Sequence, residues 1–338
     1  MIDFRILCQS GDAGSIPRAG LVRLKFGSSG LKANFHRSIS YIIPKIHSIE
    51  PLIGIQNGGT ILTIHGENFT IGNSHISVFV GSRLCELNSI LNNKIECRTR
   101  PFSLSILNQS QPIEVLFDRQ TKVLYPEQFT IIPNPVLLTF HRYESFLSGG
   151  HPLIVRGDNF DPIQNIQLEF HQLIYVSPRF RNQTHLIFLT PTLEQLHLQN
   201  PQEILLRIYL DGLNQTSTLI YRNDPIVYEL QPMFQTYTDH LIIQGTNFTA
   251  IGHTKDEIRV HVGCDLCPIV HLQSNQIICR PPKSLPKRSL KSNQPCYSSE
   301  HPSIILSIDN IHSHVGYLIY PKKFIWLGKS FSRNEHIP

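Results

Sequence analysis

Alanine, methionine and tryptophan are scarce in this chain of 338 residues. There are four alanines (Ala13, Ala19, Ala33 and Ala250), two methionines and one tryptophan. Alanine is the strongest helix former and proline the strongest breaker, so four alanines against 23 prolines and 20 glycines exclude a helical bundle. No run approaches the roughly 18 to 20 apolar residues that carry a helix across a bilayer. The opening MIDFRILCQS has no apolar segment of the secretory kind. Charged residues make up 16% of the chain, and a net charge of +5 is mild for a nucleic-acid-binding surface, so no nucleic-acid partner is expected. No serine stands in a nucleophile elbow, and the 25 acidic residues show no paired arrangement suited to acid–base work. No catalytic residue and no cofactor is therefore expected.

What is present is a pattern of short alternating runs closed by turn residues. The stretch GGTILTIHGENF, residues 58 to 69, places Gly58 and Gly59 before such a run and Gly66 after it. A phosphate-cradling loop needs a helix behind the glycines and a Lys-Ser/Thr ending, and neither follows here. Leu62 and Ile64 alternate with Thr63 and His65, the period of a strand with one buried face. The stretch recurs as GGHPLIVRGDNF, with Gly149, Gly150 and Gly157, and as TDHLIIQGTNF, with Gly245, at intervals of 91 and then 88 residues. In the third copy Thr238 and Asp239 stand where the glycine pair is expected. Pro44, Pro135 and Pro225 open the copies, and apolar strands at Tyr41–Ile43, Phe129–Ile132 and Thr218–Tyr221 are expected to close them. A period near 90 is too long for a solenoid unit and suits a domain with its own core. The fold class expected is all-β, as tandem sandwiches with one local helical turn at Thr192–Leu198.

Small β-domains gain from staples, and the chain has seven cysteines. Cys85 and Cys97 are 12 apart, as are Cys267 and Cys279, and the pairs lie 182 residues from each other in register. Each pair is expected to form a disulfide between neighbouring strands, contributing about 2 to 3 kcal/mol. Val176 and Phe188 hold the matching places in the middle copy. The spacing Cys264-x-x-Cys267 suits zinc, but no second ligand pair accompanies it, and Cys264 is expected to pair with Cys296. Cys8 corresponds to Cys97 without a mate. Residues 1–43 therefore read as the back part of a truncated domain, and Met1 is not expected to be the natural start.

Paired cysteines point to an oxidising compartment. The sequons at Asn68, Asn108, Asn182, Asn214 and Asn247 are candidate glycosylation sites and point the same way. His312 and His314 share a strand face, but no carboxylate or cysteine accompanies them in a ligand spacing, so no metal site is expected. Lys283, Lys287, Arg288 and Lys291 read as a solvated basic loop.

The sequence Pro44-x-Ile46-x-Ser48-Ile49-x-Pro51, the Gly58-Gly59 to Phe69 stretch, Val78-x-Val80-Gly81 and the Cys85 and Cys97 strands resemble the IPT/TIG domain, an immunoglobulin-like β-sandwich. Three such domains after a partial one resemble the stalk of plexins, the semaphorin receptors. Receptors of the hepatocyte growth factor receptor type have a similar stalk, and some intracellular transcription factors also use IPT domains. The domains expected are residues 44–132, 133–222 (without a disulfide) and 223–321, with a tail at 322–338. The resemblance implies the extracellular side of the plasma membrane and no enzymatic activity. It further implies a semaphorin partner bound through a head domain outside these residues, a possible co-receptor, and tethering to the membrane only in the full-length protein.

Overall fold

A computed structural model describes residues 19–26, 31–40, 42–71, 75–118, 121–140, 142–200, 202–284 and 301–320. The described chain is built from strands, joined by turns and by one short 3-10 segment at Leu104–Ile106. It divides into two compact units. One holds the described part of Met1–His141 with Ile154–Phe188 and Leu205–Ser217; the other holds Arg142–Leu153, Leu189–Ile204 and the described part of Thr218–Pro338.

Within the first unit, residues 45–132 form two facing sheets. The four-stranded sheet runs Lys45–Glu50, Ile61–Glu67, Lys94–Arg98, Glu86–Ile90, and the five-stranded sheet Ile53–Ile55, Thr121–Ile132, Ser110–Phe117, Ile76–Val80, Arg83–Leu84. The opening segment serves both sheets: Lys45–Glu50 pairs antiparallel in one, and Ile53–Ile55 pairs parallel to Thr130–Ile132 in the other. Alternation sets which side chains enter the core. Leu62 and Ile64 point inward with Ile95 and Cys97 to meet Val78, Val80, Ile113, Val115 and Phe129 from the opposite sheet. The same strand order recurs twice. Val136–Leu137 and Arg142–Phe146 open one copy and Ile226–Val227 and Phe234–Thr236 the other, each with its second segment parallel to the last strand, Leu213–Arg222 or Ile311–Ile319. Ahead of all three in the chain, Ala19–Phe26 and Leu31–Ser40 pair as antiparallel strands.

The Gly-x-Asn-Phe turn has one physical cause in every copy. Phe69, Phe160 and Phe248 are fully buried, and the glycine three residues earlier lies under each ring. A Cβ at Gly66, Gly157 or Gly245 would lie 2.3, 2.4 or 2.3 Å from the ring Cζ, and as close to a backbone carbonyl of the opening strand. Between them Asn68, Asn159 and Asn247 take φ of 67°, 63° and 62°, the left-handed region that asparagine tolerates better than most residues. The phenylalanine N–H then donates to Asn92, Gln183 or Ser274 O at 3.0 to 3.1 Å.

Two local expectations change. Ile42 and Ile43 lie beyond the strand end at Ser40, and Tyr41 is outside the described residues. Thr192–Leu198 forms hydrogen-bonded turns, not a helical turn. Thr192 and Gln195 exchange side chain-to-backbone bonds there at 2.9 and 3.1 Å, the pattern of a helix-start capping box, and the segment drops Leu193 and Leu196 into the core.

Candidate functional site

Cys85–Cys97 and Cys267–Cys279 are disulfides with Cα separations of 5.6 and 5.5 Å. They do more than join neighbours. Cys85 lies between Arg83–Leu84 and Glu86–Ile90, where the chain passes from the five-stranded to the four-stranded sheet, and Cys97 lies in the latter. The bridge thus ties the two sheets at their crossing. Cys85 and Cys267 donate their N–H to Val78 and Val260 O; in the middle copy Val176 faces Leu168 at the same register. Phe188 fills the place of Cys97 and is fully buried, while Val176 is half-buried. Cys264 is also disulfide-bonded, so neither sulfur of Cys264-x-x-Cys267 is a free thiolate for zinc. Cys296 and Cys8 lie outside the described residues, as do Lys287, Arg288 and Lys291.

Among the sequon asparagines, Asn108, Asn182 and Asn214 are exposed. Asn182 Oδ1 accepts the N–H of Thr184 and of His185 at 2.9 and 2.7 Å. Asn68 and Asn247 are half-buried, and Asn247 Nδ2 donates to Asp224 O at 3.5 Å.

The glycine pairs acquire a role that the sequence does not show. The first glycine of each pair fits against its own sandwich: a Cβ at Gly58 would lie 2.6 Å from Thr99 O, and one at Gly149 2.4 Å from Pro191 O. The second glycine faces the hairpin that closes the following sandwich. A Cβ at Gly59 would lie 2.1 Å from Gly212 N, and one at Gly150 2.2 Å from Asn310 Oδ1. Gly59 and Gly150 have φ of 85° and 77°, and each N–H donates to a threonine carbonyl, Thr99 or Thr190, at 2.8 Å.

A joint follows, built twice on one plan, once inside each compact unit. In the first joint, Gly212 N–H donates to Gly58 O at 2.9 Å. Gln164 brackets the backbone of Ile61, accepting its N–H at 2.7 Å and donating to its carbonyl at 3.1 Å. Thr60 Oγ1 donates to Asp211 Oδ2 at 3.5 Å. The linker residue Asn134 accepts the Asn57 N–H at 2.9 Å. In the second joint, Asn310 Nδ2 donates to Ser148 O at 3.0 Å, and the linker residue Asp224 accepts the Ser148 N–H at 3.0 Å. His151 stands in the place of Thr60, and Asp309 in the place of Asp211. His151 Nδ1 lies 3.2 Å and His253 Nε2 3.0 Å from the same oxygen, Asp309 Oδ2. Asp211 and Asp309 hold the same hairpin position, with φ of 50° and 48°. The third copy has no glycine pair: Thr238 Oγ1 closes that turn on His240 O at 2.6 Å.

The electrostatics of the two joints differ. Burial pushes the Asp211 carboxyl above the usual aspartate range, outweighing the N–H groups of Asn165 and Gln164 and the Thr60 hydroxyl that favour its anion. Asp309 is also partly desolvated, but the hydrogen bonds and charge of His151 and His253 win and hold it down to about 2. The His253 side chain is wholly buried, stacked on Phe146 at 5.3 Å, with Nδ1 lacking a hydrogen-bond partner among the described residues. His312 and His314 are elsewhere and exposed: His312 Nδ1 bonds Ser307 Oγ at 2.9 Å, and His314 lies edge-on to Tyr317.

The chain is thus a set of tandem immunoglobulin-like β-sandwiches. Residues 44–131 and 225–294 match the IPT/TIG domain family. Among solved structures, the full extracellular region of plexin A4, domains 1 to 10, is similar with a TM-score of 0.52 and 19% identity, covering 90% of this chain and 24% of that one. The chain therefore spans about a quarter of that relative's length. A second structure of the plexin A4 extracellular region gives a TM-score of 0.36 at 10% identity over 82% of this chain and 34% of that one. At 19% identity the likeness to the first of these concerns the fold. Among the described residues no helix is long and apolar enough to cross a membrane.

Proposed function

We propose that the chain is an extracellular stalk segment of a plexin-like semaphorin receptor, which spaces and orients a distal ligand-binding head. The observation that carries this reading is the repeated joint. A glycine pair, a linker Asn or Asp and a hairpin aspartate fix one sandwich to the next by several hydrogen bonds. A linker that served only as a tether would need none of them. The inter-sheet disulfides support an oxidising compartment, and the exposed sequons Asn108, Asn182 and Asn214 support glycosylation. In this reading semaphorin engages a head domain beyond these residues, a co-receptor is a further partner, and the membrane anchor belongs to the full-length protein. The output is mechanical: the joints limit bending, so the head is presented at a set distance on the extracellular side.

Small-angle scattering of the secreted chain tests this, comparing wild type with the Gly59→Val/Gly150→Val double variant. A stalk gives a narrow distribution of long distances in wild type that broadens in the variant. A wild-type distribution already as broad as the variant's would contradict the reading. Non-reducing peptide mapping of the same material reports on compartment, with bridged Cys85–Cys97 and glycan on Asn182 as the supporting result.

A further inference from the structure

The geometry points to the second joint as a binding site for a divalent transition-metal ion of the zinc class. One donor atom from each of His151, His253 and Asp309 lies within 4.8 Å of the others, with the side chains of His253 and Asp309 only 0% and 6% exposed. The two nitrogens sit 3.2 and 3.0 Å from the shared oxygen. Zinc bonds of about 2.0 to 2.2 Å to nitrogen and oxygen give a tetrahedral edge of about 3.3 Å, close to both nitrogen–oxygen separations.

The donor chemistry selects the ion. Two imidazoles and one carboxylate suit zinc and its neighbours, whereas calcium and magnesium call for more oxygen ligands. His151 is the outermost of the three at 17% exposure, which leaves a side for entry and for a water as fourth ligand. In the ion-bound state each ring gives the lone pair of the nitrogen facing Asp309 to the ion and carries a proton on the opposite nitrogen.

That tautomer sets the affinity. The proton on His253 moves to Nδ1, which is buried against Phe146 without an acceptor among the described residues. Ligating histidines normally donate that proton to a second group, and losing such support costs about 10 to 100-fold in affinity. The site is correspondingly weaker than a structural zinc finger. The first joint supplies the internal contrast: Thr60 and Gln164 stand around Asp211 in place of the imidazoles, and no ion is expected there.

The test is calorimetric titration of the EDTA-dialysed full chain with zinc chloride at neutral pH, alongside melting temperatures with and without zinc. Wild type takes one ion at this site and melts higher with it. His151→Gln, at the most exposed ligand, and Asp309→Asn each lose affinity about tenfold or more and lose the melting shift. His312→Gln/His314→Gln retains both. No binding by wild type, undiminished binding by His151→Gln and Asp309→Asn, or loss confined to the His312/His314 variant would each overturn the assignment.

Discussion

The two joints share a plan and differ in chemistry. Both seat an aspartate from a closing hairpin beside the residue that follows a glycine pair, and both bind the turn's N–H to a linker Asn or Asp. In the first joint the donors to Asp211 are neutral, the Thr60 hydroxyl and the backbone N–H groups of Gln164 and Asn165, with Arg98 acting only as a charge nearby. In the second they are two imidazoles converging on one oxygen. Desolvation wins over the neutral donors at Asp211, and imidazoles win over desolvation at Asp309. One backbone scaffold thus accepts two electrostatic solutions. The backbone sets the docking, and the side chains around the hairpin aspartate set its electrostatics.

The largest expected effect breaks the shared plan. Gly59→Val places a side chain against the backbone of Gly212, which cannot swing away, at a φ of 85°. It is expected to destabilise the first unit by about 3 kcal/mol, measured by chemical denaturation. Gly150→Val meets the side-chain end of Asn310, which can rotate, so about 1 to 2 kcal/mol is expected in the same measurement.

Acid separates the joints next. A carboxyl whose pKa is lower in the folded state contributes stability above its unfolded pKa and loses it as pH falls through the folded value. Asp309 should therefore lose about 1 to 2 kcal/mol, after allowing for solvent screening, between roughly pH 4 and pH 2. Asp211, with its pKa raised, has the opposite sign: its protonation on acidification favours the folded form. Comparing acid denaturation of Asp309→Asn and Asp211→Asn with wild type checks both signs. The former should flatten the acid limb, and the latter should not.

The smallest effect comes from Thr60→Val. Its hydroxyl contributes one long bond of 3.5 Å to a carboxylate that keeps two backbone donors. The expected loss is about 0.5 kcal/mol by thermal melting.

The sandwiches were legible in the sequence because their determinants are local and repeat. Glycine under a phenylalanine ring, asparagine at positive φ and two cysteines 12 apart each recur as recognisable strings. The joints were not, since their partners lie 151 and 158 residues apart and vary in type, threonine in one and histidine in the other. The available signal was the hairpin tips Asp211-Gly212 and Asp309-Asn310, turn dipeptides whose shared aspartate emerges only once the copies are aligned. His312 and His314 drew attention by adjacency and prove exposed and apart from the cluster. His151 and His253 carried no spacing signal and sit in it.

The central claim is that each glycine pair docks the hairpin of the following sandwich. Hydrogen exchange by mass spectrometry of the peptide spanning Leu210 to Leu213 tests it most directly, because the Gly212 N–H is held by Gly58 O at 2.9 Å. Docking predicts slow exchange in wild type and fast exchange in Gly59→Val, with the Lys94–Arg98 strand protected in both. Equal exchange of the hairpin tip in the two proteins would contradict it.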